Sequence, residues 1–243
     1  MDKLSRINPI LEVLRTSPRR VNKIFIQKER GPHRIGEIIH EAKLRSIPYL
    51  FVPKQRLDSL DPHHQGAVAL LAAKEFSSLD DILKSPGVPF LVLLDEVEDP
   101  QNLGAVIRSA EAAGASGIIL PERRSAGLTE VVATVSAGAL ENVPVARVTN
   151  LAQTMDDLKK AGIWLAGAEG GCKDLWYEFD YTLPVALVFG SEGKGLRPLV
   201  RKKCDKILSI PLVGKVNSLN VASSASIFLF EVLRQRRKAG ATA

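Results

Sequence analysis

Read for its hydrophobic and polar positions alone, the chain alternates between short strands and helices. Ile7 to Leu14 reads as a helix and Lys23-Ile24-Phe25-Ile26 as a strand. Arg34 to Lys43 sets Ile35, Ile38, Ile39 and Ala42 at helical spacing, and Pro48 to Pro53 brackets another strand. That alternation predicts a small α/β domain over residues 1–76. Residues 77–88, with Lys84-Ser85-Pro86-Gly87, read as a linker.

From residue 89 to 243 the pattern becomes regular. Apolar strands are expected at Phe90–Leu94, Gly117–Leu120, Val143–Val148, Ile163–Ala168 and Val185–Phe189. Helices are expected at Asn102–Ala113, Ser125–Ala139 and Leu151–Ala161. Unbroken apolar strands separated by helices predict an α/β domain with a parallel sheet covered on both faces. Ile210-Pro211-Leu212 reads as one more short strand, leading through Gly214-Lys215 and Asn217-Ser218-Leu219-Asn220 into a helix largely buried over Ala225–Leu233. Polar side chains buried there would cost ~1–3 kcal/mol each if unpaired, so they call for partners. Parallel sheets bind ligands at the carboxyl ends of their strands, which is where the polar clusters of this chain fall.

Composition changes this picture little. The 243 residues are 45% hydrophobic, as in globular proteins with an ample core. No run of eighteen apolar residues occurs, and Met1-Asp2-Lys3-Leu4-Ser5-Arg6 lacks a signal-peptide core, so a cytoplasmic location is expected. Cys172 and Cys204 form no Cys-x-x-Cys, and His33, His40, His63 and His64 show no ligand spacing, so neither a disulfide nor a metal site is expected. The charge is more informative. Residues 1–76 hold 14 Lys+Arg against 8 Asp+Glu, which accounts for the whole net charge of +6. Arg15, Arg19, Arg20, Lys23, Lys28, Arg30 and Arg34 crowd one stretch. A polyanion such as RNA is one reading, and a solvated surface is the other.

Three clusters could carry chemistry. In the first, Asp99-Pro100 makes a turn, Asn102 is a plausible N-cap and Gly104 permits close approach. Arg108 follows nearly two turns later, roughly 9 Å along the axis, and its side chain can lean back to hold a phosphate. A capped surface helix with a solvated Arg is the alternative. The second, Gly190-Ser191-Glu192-Gly193-Lys194-Gly195, permits a tight loop with exposed N–H groups. It is neither a Walker loop nor a Gly-x-Gly-x-x-Gly turn, so it marks a ligand loop of unspecified ligand, or a bare turn. In the third, Ile210, Leu212 and Leu219 could wall a flat ring, with Ser218 and Asn220 at a polar end. Simple helix capping is again the alternative.

Taken together, the clusters resemble the SpoU (TrmH-type) ribose 2′-O-methyltransferases of the SPOUT superfamily. Asn102-x-Gly104-x-x-x-Arg108, Gly190-Ser191-Glu192-Gly193-x-Gly195, Ile210-Pro211-Leu212 and Ser218-Leu219-Asn220-Val221 match the family motifs. Ile7-Asn8-Pro9-Ile10-Leu11-Glu12 and His64-Gln65-Gly66-Ala67-Val68-Ala69 resemble the substrate-binding domain of many members, a fold similar to ribosomal protein L30e. Asn150-Leu151-Ala152-Gln153-Thr154-Met155 and Cys204-Asp205-x-x-x-Ser209-Ile210-Pro211 resemble the bacterial enzymes that methylate a guanosine ribose in the peptidyl-transferase region of 23S rRNA. Two positions depart from the pattern: Arg6 and Glu96 stand where Gly is common.

The resemblance implies S-adenosyl-L-methionine as methyl donor, a ribose 2′-hydroxyl of RNA as acceptor, a C-terminal trefoil knot and a homodimer through the catalytic domain. It implies catalytic roles for Asn102, Arg108, Glu192, Ser218 and Asn220. Gly190, Glu192, Gly193, Gly195, Ile210, Leu212 and Leu219 would hold the cofactor, and Arg15, Arg19, Arg20, Lys23 and Arg108 the RNA. No metal or membrane is implied. Other readings are a different rRNA or tRNA target, or a non-catalytic RNA-binding or assembly factor of the same fold. A nucleotide-dependent dehydrogenase is disfavoured, because no Gly-x-Gly-x-x-Gly follows the first strand of the second domain.

Overall fold

The structure is a computed structural model that describes residues 2–28, 34–72 and 74–240; Arg30 and His33 lie outside the described residues. The chain divides into two compact units, Met1–Glu75 with Gly127–Asn142, and Phe76–Ala126 with Val143–Ala243.

The first unit begins β1 (Asp2–Leu4), α1 (Ile7–Thr16), β2 (Val21–Gln27), α2 (Ile35–Leu44), β3 (Tyr49–Val52), α3 (Lys54–Asp58) and β4 (Ala67–Leu71). Its sheet has the order β1-β4-β2-β3, with only the β2–β3 pair parallel. Helix α1 forms where the periodicity predicts it, because Ile7, Ile10, Leu11 and Leu14 share one face and are buried. Strands β1 and β4 have no counterpart in the sequence reading. Each is short, and their pairing joins Leu4 to Ala69 across most of the unit's sequence.

In the second unit the chain runs through α4 (Leu79–Leu83), β5 (Phe90–Asp95), α5 (Pro100–Ala112) and β6 (Gly117–Pro121). The stretch read as a linker is thus partly helical and packed. Ile82 of α4 is buried, and a Cβ built on Gly117 would sit 2.6 Å from its side chain. Next come α6 (Glu130–Val135) and α7 (Ala139–Asn142), which cluster with the first unit. The single helix expected over Ser125–Ala139 is broken, since Ala137 and Gly138 both take positive φ.

The second unit continues with β7 (Val145–Val148), α8 (Leu151–Lys160), β8 (Trp164–Ala168), β9 (Val185–Gly190), α9 (Pro198–Lys203), β10 (Lys206–Leu208) and α10 (Val221–Lys238). Its six strands are all parallel, in the order β10-β8-β9-β5-β6-β7. Every residue of β5 and β6 is buried, as a sheet covered on both faces requires. The strand expected at Ile210–Leu212 lies instead at Lys206–Leu208. Pro211 has no N–H to give a ladder and is exposed.

Helix α10 is largely buried over Ala225–Leu233, as expected, with one exposed residue in that stretch. Phe228 and Leu229 lie in the core, while Phe230 is 48% exposed. Its last turn is latched by Arg236, whose guanidinium donates to the carbonyls of Val88, Pro89, Tyr181 and Leu183 at 2.8–3.1 Å and lies over the Phe90 ring. Burial holds the Arg236 guanidinium below its ordinary pKa. Among the described residues, no helix is long and apolar enough to cross a membrane.

Candidate active site

The site forms where chain order reverses in the sheet, at the carboxyl ends of β5 and β9 and in the segment after β10. After β5, Asp99 caps α5, its carboxylate accepting from Gln101 N at 2.8 Å. This corrects the expectation that Asn102 is the N-cap. Pro100 favours the first helical position and keeps its predecessor extended, so the helix starts earlier. Asn102 therefore lies in the first turn, buried, with its side chain free for a tertiary contact.

After β9 the chain doubles back on itself. Gly195 N donates to Ser191 O at 2.9 Å, and Gly193 and Gly195 have φ of 80° and 67°. A Cβ built on Gly190 would sit 2.1 Å from the Gly195 carbonyl carbon, so only glycine permits this crossing.

After β10 the segment 209–220 leads to Asn220, the N-cap of α10. Its Oδ1 accepts from Ala222 N at 2.9 Å and Ser223 N at 3.3 Å. Its amide donates to Asn102 Oδ1 at 2.9 Å and also to Glu192 Oε1. One side chain thereby joins all three sequence clusters. The polar entry is exposed at Asn217, Ser218 and Asn220, so the desolvation cost expected from a buried position does not arise there.

A cavity of about 700 Å³ lies against these segments. Gly190, Glu192, Gly193, Gly195, Ile210, Leu212, Ser218, Leu219 and Asn220 all line it, so the structure brings together every residue expected to hold the cofactor. The rings of Phe189 and Phe228, packed edge-to-face at 5.7 Å, also reach it. A smaller cavity of about 240 Å³ adjoins, lined by Glu96, Glu98, Asp99 and Asn102 and sharing Ser191, Glu192, Lys194 and Val221 with the first. Sequence reasoning missed Glu169, Gly170 and Gly171, which line the large cavity directly after β8. Paired glycines at the end of an apolar strand were the signal that could have found them.

Arg108 is not brought to either cavity. It is exposed on α5 and has no hydrogen bond or ion pair among the described residues. Of the basic residues in the first unit, Arg15 pairs with Glu41 at 2.8 Å, and Arg20 is held by Glu141 and the Ala72 carbonyl. Each guanidinium holds a carboxylate within the fold, while the Arg15 side chain stays 49% exposed. Arg19 and Lys23 have no such partner among the described residues.

Beside the glycine loop, Asp95 is fully buried and bound by Arg197, whose side chain and backbone N–H reach both carboxylate oxygens at 2.6–2.9 Å. The hydrogen bond to Asp95 holds the Arg197 guanidinium above its ordinary pKa. Glu96 follows with φ 60°, a left-handed conformation, and this explains why glycine suits the position.

Comparison with known proteins agrees with this geometry. Residues 89–230 match the family described as the SpoU rRNA methylase family. Residues 7–77 match the RNA 2′-O ribose methyltransferase substrate-binding family. The chain is 42% identical over 238 residues to YacO of Bacillus subtilis (strain 168), named for the TrmH family of tRNA/rRNA methyltransferases, covering 96% of this chain and 95% of that protein. It is 44% identical over 225 residues to a protein of the same designation from Staphylococcus haemolyticus (strain JCSC1435), covering 90% of each. Among solved structures, the SpoU methyltransferase AviRb of Streptomyces viridochromogenes in complex with AdoMet superposes with a TM-score of 0.82, at 28% identity over 97% of this chain and 90% of that one. The chain belongs to the SpoU rRNA methylase family of RNA methyltransferases, and carries the substrate-binding domain of the RNA 2′-O ribose methyltransferases ahead of the catalytic one.

Proposed function

We propose that this chain transfers the methyl group of S-adenosyl-L-methionine to a ribose 2′-hydroxyl of RNA, and that the acceptor is a guanosine in the peptidyl-transferase region of 23S rRNA. The observation that carries the reading is the Asn102–Asn220–Glu192 contact at the edge of the large cavity. The cavity's size falls in the range of about 300–1,000 Å³ usual for cofactor sites. Its glycine-loop backbone, its apolar Leu212 and Leu219 and its two Phe rings suit a nucleoside. The AdoMet bound to AviRb supports the same assignment.

The loop Gly190–Gly195, Ile210, Leu212 and Leu219 would hold the cofactor, which supplies a methyl already activated by a positive sulfur. The chain's own task is then alignment, with the attacking oxygen about 3 Å from the methyl and in line with the sulfur. Asn220 fixes Asn102 and Glu192 relative to each other, and the small cavity, open to both, receives the acceptor nucleotide. Ser218 supplies a hydroxyl to the wall of the large cavity. Arg108, whose planar fork of donors matches a phosphate, acts as a clamp that orients the RNA rather than as a free base. A homodimer through the second unit presents that exposed side chain to the acceptor strand. Arg19 and Lys23 of the first unit add phosphate contacts.

The test is methyl transfer from labelled S-adenosyl-L-methionine to rRNA fragments, with the modified nucleotide mapped. Label on the ribose of a peptidyl-transferase guanosine is the expected result. Label confined to tRNA would move the target, and no transfer to either would leave an RNA-binding role.

A further inference from the structure

The glycine loop has an intrinsic problem that the rest of the site must solve. Three glycines within Gly190–Gly195 give the backbone more freedom than any other residues would, and an unanchored loop loses that freedom each time a ligand binds. Its own closure is slight, consisting of the Ser191–Gly195 bridge. The anchor comes from the neighbouring strand. Asp95 is the register partner of Gly190 in the β5–β9 ladder, so it stands beside the point where the loop begins. Its carboxylate takes hold of Arg197, two residues past the point where the loop ends. Oδ2 accepts the Arg197 backbone N–H at 2.9 Å, while Oδ1 accepts Nε at 2.7 Å and lies 2.6 Å from Nη2. The start of the loop is thus held through the strand ladder beside Asp95, and the chain just past its end by the carboxylate of the same residue.

We infer that Asp95 and Arg197 are a positioning pair that preorganises the glycine loop for cofactor binding. The inference rests on the reading of the large cavity as the cofactor site. Neither residue lines that cavity, so neither touches the ligand, and their effect is exerted through the backbone between them. An arginine suits the task better than a lysine. Its planar fork sets two donors on one oxygen while its own backbone N–H takes the other. The guanidinium also lies 3.6 Å from Glu96, a wall of the smaller cavity, so the brace touches residues on the acceptor side as well.

The test uses the full-length chain with Arg197→Gln, Arg197→Lys, Asp95→Asn and the Asp95→Asn/Arg197→Gln double variant. Arg197→Gln is the mild variant, because its side chain is 45% exposed and Asp95 keeps the backbone N–H. Two readouts are taken: the dissociation constant for S-adenosyl-L-methionine, and amide hydrogen exchange across 191–197 without ligand. We expect Arg197→Gln to melt cooperatively as wild type does, to bind the cofactor about tenfold or more weakly and to exchange faster in the loop. We expect turnover at saturating cofactor within about threefold of wild type, partial recovery in Arg197→Lys, and a double variant no worse than Asp95→Asn alone, since coupled residues are non-additive. Unchanged affinity and unchanged loop exchange in a folded Arg197→Gln protein would overturn the inference. If the wild-type chain itself fails to bind the cofactor while the exchange contrast persists, the brace stands and the cavity's ligand assignment falls.

Discussion

The side-chain amide of Asn220 donates to Asn102 Oδ1 at 2.9 Å while its oxygen caps helix α10. The two roles use opposite ends of one amide, so substitutions can separate them. Asn220→Asp keeps an acceptor for Ala222 N and Ser223 N but turns an acceptor toward Asn102 Oδ1 and the Glu192 carboxylate. It should retain the helix cap and lose about tenfold or more in methyl transfer, equivalent to ~1.4 kcal/mol or more in the barrier. Asn220→Ala should lose both, with ~0.5–2 kcal/mol of stability gone with the cap. Thermal melts and labelled-methyl transfer on the two proteins decide it; equal activity in Asn220→Asp and wild type would remove the bridge from the mechanism.

Arg108 offers the cleanest separation of chemistry from folding. It is exposed and has no partner among the described residues, so Arg108→Ala should change stability by no more than about 0.5 kcal/mol. Methyl transfer should nonetheless fall to background, with cofactor affinity intact. Retained turnover on the cognate RNA would rule out the phosphate clamp.

Two glycines of the same loop should respond differently to one added methyl. In Gly190→Ala the new carbon meets backbone at 2.1 Å, so the loop must open. Cofactor binding should drop below detection, with overpacking costing ~1–3 kcal/mol. In Gly193→Ala no atom lies within 4 Å and the penalty is only the positive φ, ~1–2 kcal/mol. Calorimetric titration should find binding in the second variant and not in the first.

Glu96→Gly should leave the protein as stable as wild type or up to about 1 kcal/mol more so. Relief of the left-handed conformation is worth ~1–2 kcal/mol. Against it stand the pairings with Arg124 and Arg197, whose side chains are 68% and 45% exposed and which contribute ~0–1 kcal/mol each, and the greater freedom of glycine in the unfolded chain. Denaturant unfolding gives the sign. A loss beyond about 1 kcal/mol would mean that the carboxylate's contacts outweigh the backbone strain.

The two thiols should differ sharply toward a disulfide reagent. Burial pushes Cys204 up to about 12, so at pH 8 it is protonated as well as packed against Gly167. Native protein should label at Cys172 first and at Cys204 only on unfolding. The linkage follows from the direction of the shift. The unfolded thiol ionises near pH 9 while the folded one stays neutral, so the Cys204 contribution is intact below pH 9 and declines as pH rises toward 12. A Cys204→Ala protein should show a flatter stability profile over that window.

The parallel sheet was legible because β5, β6 and β9 are unbroken apolar runs, and burial on both faces is the condition that writes such runs. Strand β10 was not, since Lys206-Ile207-Leu208 is short and begins with a charge on an edge. The site was legible residue by residue, because its glycines and amides follow strands. Its assembly was not. Asn102 can cap a helix or point into a cavity, and the difference was set by Asp99 and Pro100 upstream. The basic stretch looked uniform in sequence, yet Arg15 and Arg20 are matched by Glu41 and Glu141, the second of which lies far along the chain.

That last pairing bears on how such a protein can be recombined. The side chain of Glu141 is 2% exposed, and its cations, Arg20 and Lys74, both come from the first 76 residues. The N-terminal module is therefore not a contiguous cassette. A chimaera that exchanged only residues 1–76 would bring a foreign surface to an acid left behind in the host sequence. A compatible donor must either carry a cation to the same spot or travel together with its own 127–142 segment, so inheritance of the two stretches is coupled.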